Sequence, residues 1–125
     1  MSEKKILIVD DEEAFTRIVK LNLEDTGKFE VKTENSPKQA LETAKWYEPD
    51  VTVLDVIMPE MSGLEVAAEL RKDWGDNPRP IIFLTAAVSK EDANMQHEML
   101  EDAPLLAKPV DVDELLAAID KILAD

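Results

Sequence analysis

Asp10 and Asp11 directly follow the apolar run Ile6-Leu7-Ile8-Val9, and Asp55 follows Val51-Thr52-Val53-Leu54. Thr85 follows Ile81-Ile82-Phe83-Leu84, and Lys108 follows Leu105-Leu106-Ala107. Each of these polar residues ends a run suited to a buried strand, the place where open parallel sheets carry their sites. If the strand order brings these ends together, three carboxylates, a hydroxyl and an ammonium converge on one edge. Carboxylates held close repel, so one of them must have a raised pKa unless a cation relieves the repulsion. A hard divalent ion such as Mg²⁺ or Mn²⁺ suits that task because it prefers oxygen ligands. Three acids and one lysine leave a charge of −2, which one such ion cancels. A dianionic phosphoryl group added there needs Lys108, Thr85 and backbone amides to hold its oxygens.

The elements that must position these residues are legible as alternating patterns. Phe29, Val31 and Thr33 alternate with Glu30 and Lys32 and, with the four runs above, make five strand candidates. Apolar runs that are continuous rather than alternating are what a parallel sheet covered on both faces needs. The intervening segments carry helix signals. Ser36-Pro37-Lys38-Gln39 offers an N-cap serine, a proline at the first helical position and a capping-box glutamine. Ser62 to Glu65 is a second capping box, and Asp111 with Glu114 an acidic analogue. Helical spacing places Ala14, Phe15, Ile18, Val19 and Leu21 on one inward arc, and Ala40, Leu41, Ala44 and Tyr47 on another. Leu115, Leu116, Ile119, Ile122 and Leu123 do the same in the last helix, and Lys90 to Glu101 is assigned as a helix despite lacking a clean stripe. The expectation is one α/β domain over residues 1–125, doubly wound, with a five-stranded parallel sheet.

Composition narrows the function. The chain has 125 residues with 28 acids against 14 Lys and Arg, a net charge of −14, which opposes binding to nucleic acid or an anionic membrane. Apolar residues at 45% are too many for a disordered acidic tail. Without cysteine there is no disulfide framework and no thiolate-bound metal, and the first apolar run is too short for a signal sequence. A cytoplasmic location is the expectation.

Taken in order and on these elements, several fragments resemble the receiver domain of two-component response regulators, with its flavodoxin-like (βα)5 fold. They are Val9-Asp10-Asp11-Glu12, Pro49-Asp50, Leu54-Asp55-Val56-Ile57-Met58-Pro59, Gly63, Thr85-Ala86 and Lys108-Pro109, and the likeness spans essentially the whole chain. The resemblance implies a Mg²⁺-dependent switch in which Asp55 accepts a phosphoryl group from a phosphohistidine. It implies that Asp11 binds the metal directly, Asp10 through water, and that Asp55 and the backbone carbonyl of Ile57 complete the protein ligands. Thr85, Ala86 and Lys108 would form the phosphoryl-binding and switch set, and Lys108-Pro109 would be a cis bond. The implied partners are a histidine kinase or histidine phosphotransfer protein and an unidentified downstream protein on the face of the fourth helix, fifth strand and last helix. Dimerisation on phosphorylation is a further implication. The domain turns over no metabolite, so it is a switch rather than an enzyme.

The sequence departs from that pattern on the output side. Leu105 stands three residues before Lys108, where the family usually has an aromatic switch residue, and Glu101-Asp102 with Pro104 replaces the usual small pair. Ile57 and Ala87, two residues beyond Asp55 and Thr85, are apolar where relatives often carry polar groups, so a long-lived phosphoryl-aspartate is expected. Each motif also has a plainer reading. Asp10 and Asp11, with Glu12 and Glu13 after them, could be an acidic helix start. His97 reads as a surface residue, Trp46 and Trp74 as partly buried over helix ends, and Met95 and Met99 as core filler or partner surface. The competing function is a phosphorylation-independent interaction module; a phosphatase or flavin protein is disfavoured because the first strand lacks a phosphate loop. The starting methionine and complete last helix favour a stand-alone regulator over an excised domain.

Overall fold

The computed structural model describes residues 3–86, 99–100 and 103–124. In chain order the elements are β1 (Lys4–Val9), α1 (Glu13–Asp25), β2 (Phe29–Glu34), α2 (Pro37–Tyr47), β3 (Val51–Asp55), α3 (Gly63–Trp74), β4 (Ile81–Thr85), β5 (Met99–Leu100), β6 (Ala103–Ala107) and α4 (Val112–Ala124). Five strands run parallel in the spatial order β2-β1-β3-β4-β6, as expected of a flavodoxin-like sheet. None of the described helices is long and apolar enough to cross a membrane.

Burial on both faces explains the continuous apolar runs. Leu7, Val9, Leu54, Ile81 and Phe83 pack with Ala40, Ala44, Val66 and Leu70 beneath α2 and α3. Their neighbours Ile6, Ile8, Val51, Val53, Ile82 and Leu84 pack with Val19, Leu23, Leu115 and Ile119 beneath α1 and α4. Successive strand residues thus enter opposite cores, and no position within these runs can be polar without cost. Thr52 is such an exception: it is fully buried, and its hydroxyl has no hydrogen-bond partner among the described residues.

Two local expectations are corrected, and the structure bears on a third only near its end. The first concerns α1, where Phe15, Thr16, Val19 and Leu23 face the sheet while Ala14, Ile18 and Leu21 are exposed, Ile18 at 57% and Leu21 at 71%. Two apolar stripes lie side by side on this helix at three- and four-residue spacing, and the sheet has room for one. The second concerns Ser36, which occupies the N-cap of α2 before Pro37 but makes no side-chain capping bond, so the Gln39 box does not form. The boxes at Ser62/Glu65 and Asp111/Glu114 do form. The third concerns the helix expected over Lys90 to Glu101. Only Met99 and Leu100 of that span are described, and they form β5, antiparallel to β6, with Met99 opposite Pro104 and Leu100 opposite Ala103. The edge of β6 offers backbone partners to these two residues, and the rest of the span lies outside the described residues. Ala87, Met95, His97 and the Glu101-Asp102 pair lie outside the described residues.

Candidate functional site

The strand order reverses direction between β1 and β3, and the carboxyl ends of these two strands carry the acids. Asp10 leaves β1 fully buried; its backbone N–H donates to the Glu34 carbonyl at 3.1 Å, and its own carbonyl accepts from Asn35 Nδ2 at 2.7 Å. Asn35 also donates to Thr16 Oγ1 at 3.1 Å, tying the end of β1 to α1. Asp55 ends β3 with 3% exposure, and its Oδ1 accepts the Ile57 N–H at 3.3 Å. One carboxylate oxygen from each of Asp10, Asp11 and Asp55 lies within 4.8 Å of the others.

The loop beyond Asp55 is fixed by close packing. The Gly63 N–H donates to the Val56 carbonyl at 2.9 Å, which draws the start of α3 against the strand end. A Cβ at Gly63 would sit 2.2 Å from the Asp55 carbonyl oxygen, so only glycine allows this approach. The Ser62 hydroxyl accepts from the Glu65 N–H while Glu65 reaches back to the Ser62 N–H, and this box sets the helix start at that point.

Lys108 completes the cluster from the end of β6. Its backbone N–H donates to the Thr85 carbonyl at 2.8 Å, and the Lys108-Pro109 bond is cis. Its ammonium lies 2.7 Å from Asp10 Oδ2, 2.5 Å from Glu12 Oε1 and 3.6 Å from Asp55 Oδ2, and 4.9 Å from the centre of the Phe15 ring. Asp10 Oδ2 receives no well-directed hydrogen bond among the described residues, so its burial is offset by this ion pair. Burial works against the charged ammonium, but the close carboxylates of Asp10 and Glu12 and the attraction of Asp55 outweigh it and hold the Lys108 pKa above its ordinary value. At Asp55 the balance goes the other way. Burial, then repulsion from Asp10, push its pKa from 3.8 up to about 6; Lys108 and the Ile57 amide pull it down, and Asp11 adds a smaller push.

The sequence expectations for Asp10, Asp11, Asp55 and Lys108 therefore meet in space. Thr85 is buried at the end of β4, opposite Ala107, and Ala86 follows it at the surface. Leu105 is half-buried in β6 opposite Phe83 and packs toward α2 and α3. Ile57 is 56% exposed. Trp46 lies off the inward face of α2, exposed, with the Lys32 ammonium 5.1 Å from its ring, whereas Trp74 packs on the core. Two participants were not expected, Asn35 and Glu12. An all-oxygen cluster, buried at Asp10 and Asp55 and open at Asp11, in which burial and then repulsion from Asp10 raise the Asp55 pKa, fits a hard divalent cation.

A family model described as the response regulator receiver domain matches residues 6–120. The alkaline phosphatase synthesis transcriptional regulatory protein PhoP of Bacillus subtilis is 37% identical over 120 residues, 96% of this chain and 48% of that protein. Response regulator Rre1 of Synechocystis is 33% identical over 119 residues, 95% of this chain and 51% of its own length. The chain thus spans about half the length of the curated relatives it matches. Among solved structures, the Vibrio cholerae chemotaxis protein CheY4 superposes with a TM-score of 0.81 at 30% identity, covering 97% of this chain and 99% of that one.

Proposed function

This chain belongs to the response regulator receiver domain family, and on that footing we propose that its phosphorylation-controlled signalling runs through Asp55 as phosphoryl acceptor. The observation that carries the proposal is the convergence of three carboxylates within 4.8 Å with the Lys108 ammonium against them. An Asp55 carboxylate oxygen attacks the phosphorus of a phosphohistidine; the new O–P bond forms as the N–P bond breaks, and the imidazole leaves with the electron pair. The cation that Asp10, Asp11, Asp55 and the Ile57 carbonyl would hold, Mg²⁺ or Mn²⁺, supplies positive charge to the phosphoryl oxygens. Removing the repulsion at Asp55 also leaves its carboxylate ionised and nucleophilic. Lys108 takes one phosphoryl oxygen, and the Thr85 hydroxyl with the Ala86 amide takes another. The rest of the protein's work is alignment: Gly63 and the Ile57 amide hold Asp55 in place for in-line attack.

On this reading the donor is a histidine kinase or histidine phosphotransfer protein, met in the cytoplasm. The signal leaves through protein contacts on the β6 and α4 side, where Leu105 must act by repacking rather than by turning an aromatic ring. Dimerisation on phosphorylation belongs to the same proposal, and a net charge of −14 argues that this domain itself does not hold nucleic acid. The test is Mg²⁺-dependent labelling by a small phosphodonor such as acetyl phosphate. The unsubstituted protein takes label and Asp55→Asn takes none; a protein that neither binds Mg²⁺ nor takes label is instead a phosphorylation-independent interaction module.

A further inference from the structure

We propose that Glu12 is a counter-ion latch on Lys108, which must release the ammonium before a phosphoryl group can claim it, and which thereby sets the affinity of the site for phosphoryl oxygens. The inference rests on the reading of Asp55 as phosphoryl acceptor.

Glu12 Oε1 is the nearest of the three carboxylate oxygens around Lys108, at 2.5 Å against 2.7 Å for Asp10 and 3.6 Å for Asp55. An ammonium has three N–H donors and no acceptor. Glu12 accepts one of them, Asp10 Oδ2 lies at ion-pair distance without a well-directed hydrogen bond, and Asp55 stands beyond normal hydrogen-bond reach. The two close partners differ in freedom. Asp10 is fully buried and also holds the Glu12 N–H at 2.9 Å, whereas the Glu12 side chain is 63% exposed. Swinging Glu12 into water therefore costs little desolvation, while withdrawing Asp10 would strand a buried charge.

The local backbone directs Glu12 to this role. It occupies the N-cap of α1, a position that favours Ser, Thr, Asp or Asn, and its side chain makes no capping bond. Its carbonyl accepts the Thr16 N–H at 3.1 Å and its N–H is held by Asp10, so the side chain alone is free to move. That side chain crosses 96 positions of sequence to Lys108 instead of closing its own helix end. Phe15, three residues further along α1, confines the ammonium from another side at 4.9 Å. When a phosphoryl group arrives on Asp55, its oxygens compete for the donor that Glu12 holds, and the Glu12 charge repels them. Glu12 is thus a positioning residue that disfavours the phosphorylated state.

The plain alternative is an acid that favours the positive end of the helix dipole. Glu13 tests it, because it also lies in the first turn of α1, is exposed and carries the same charge. The experiment titrates the full chain calorimetrically with Mg²⁺ alone, then with beryllofluoride, a tetrahedral phosphoryl mimic, in saturating Mg²⁺. The unsubstituted protein, Glu12→Gln and Glu13→Gln are compared. Glu12→Gln binds beryllofluoride about two- to fivefold more tightly, the scale of an exposed ion pair. It binds Mg²⁺ alone more weakly, because the site loses a negative charge and Lys108 turns fully to Asp10 and Asp55. An unchanged or weakened beryllofluoride affinity, a gain shared by Glu13→Gln, or an equal gain for Mg²⁺ alone overturns the latch. If the unsubstituted protein takes no beryllofluoride, the phosphoryl reading of the site falls first, and the latch with it.

Discussion

Replacing Asp55 by Asn should stabilise the metal-free protein, and the gain should depend on pH in a defined direction. Asp55 is almost wholly buried beside Asp10, and its pKa is pushed from 3.8 up to about 6. The folded state thus holds a proton on Asp55 more tightly than the unfolded chain does. Below pH 3.8 both states are protonated and Asp55 contributes its full stability; as pH rises through about 6 that contribution is lost. The interval between the two pKa values corresponds to about 3 kcal/mol of lost stability. Asn keeps the shape and cannot ionise, so the stability difference between Asp55→Asn and the unsubstituted protein should widen by that order between pH 4 and pH 7. Urea unfolding across this range in the presence of a chelator measures it. Saturating Mg²⁺ should then narrow the gap at pH 7, because ligand at a hundredfold excess over its dissociation constant stabilises the unsubstituted fold by about 3 kcal/mol. A difference that stays constant with pH, or that narrows as pH rises, would refute the claim that repulsion and burial are stored at Asp55.

Gly63→Ala should lower stability by several kcal/mol, about the cost of an overpacked core site, because the new methyl meets the Asp55 carbonyl oxygen at 2.2 Å; thermal unfolding reads the loss, and an unchanged midpoint would show that the α3 start is free to shift. Thr52→Val replaces a fully buried, unpartnered hydroxyl by a methyl of the same shape and should stabilise by about 1 kcal/mol in urea unfolding, with destabilisation as the contrary result. Ile57→Asn places a polar group on an exposed position two residues beyond Asp55 and should speed loss of the phosphoryl group, measured as decay of labelled protein after donor removal; a rate equal or slower would mean that Ile57 does not slow hydrolysis.

The strand ends were legible because a continuous buried run that stops at a charged residue leaves few other readings. Asp10, Asp55 and Lys108 each follow such a run, and the parallel register carries all three to one edge. Contacts that depend on tertiary placement were not legible. Glu12 followed by Glu13 looks like an acidic helix start, and the pairing of Glu12 with Lys108 exists only because the parallel sheet carries the ends of β1 and β6, with β3 and β4 between them, to the same edge. The one local signal was glutamate at an N-cap, where a shorter side chain is usual. Asn35 gave no signal, since its role is to bridge the Asp10 carbonyl and the Thr16 hydroxyl from separate elements. On α1 the sequence offered two apolar stripes and no means of choosing between them; the packing of Val19 and Leu23 against the sheet makes the choice and leaves Ile18 and Leu21 in solvent.

The central claim is that Asp55 carries the phosphoryl group. The direct measurement is to treat the protein with acetyl phosphate and Mg²⁺, reduce with borohydride and sequence the peptides by tandem mass spectrometry. Reduction converts a phosphoaspartate to homoserine, so homoserine at position 55, dependent on both donor and metal, is the predicted result. Homoserine elsewhere with residue 55 still aspartate, or no conversion at all, would contradict it.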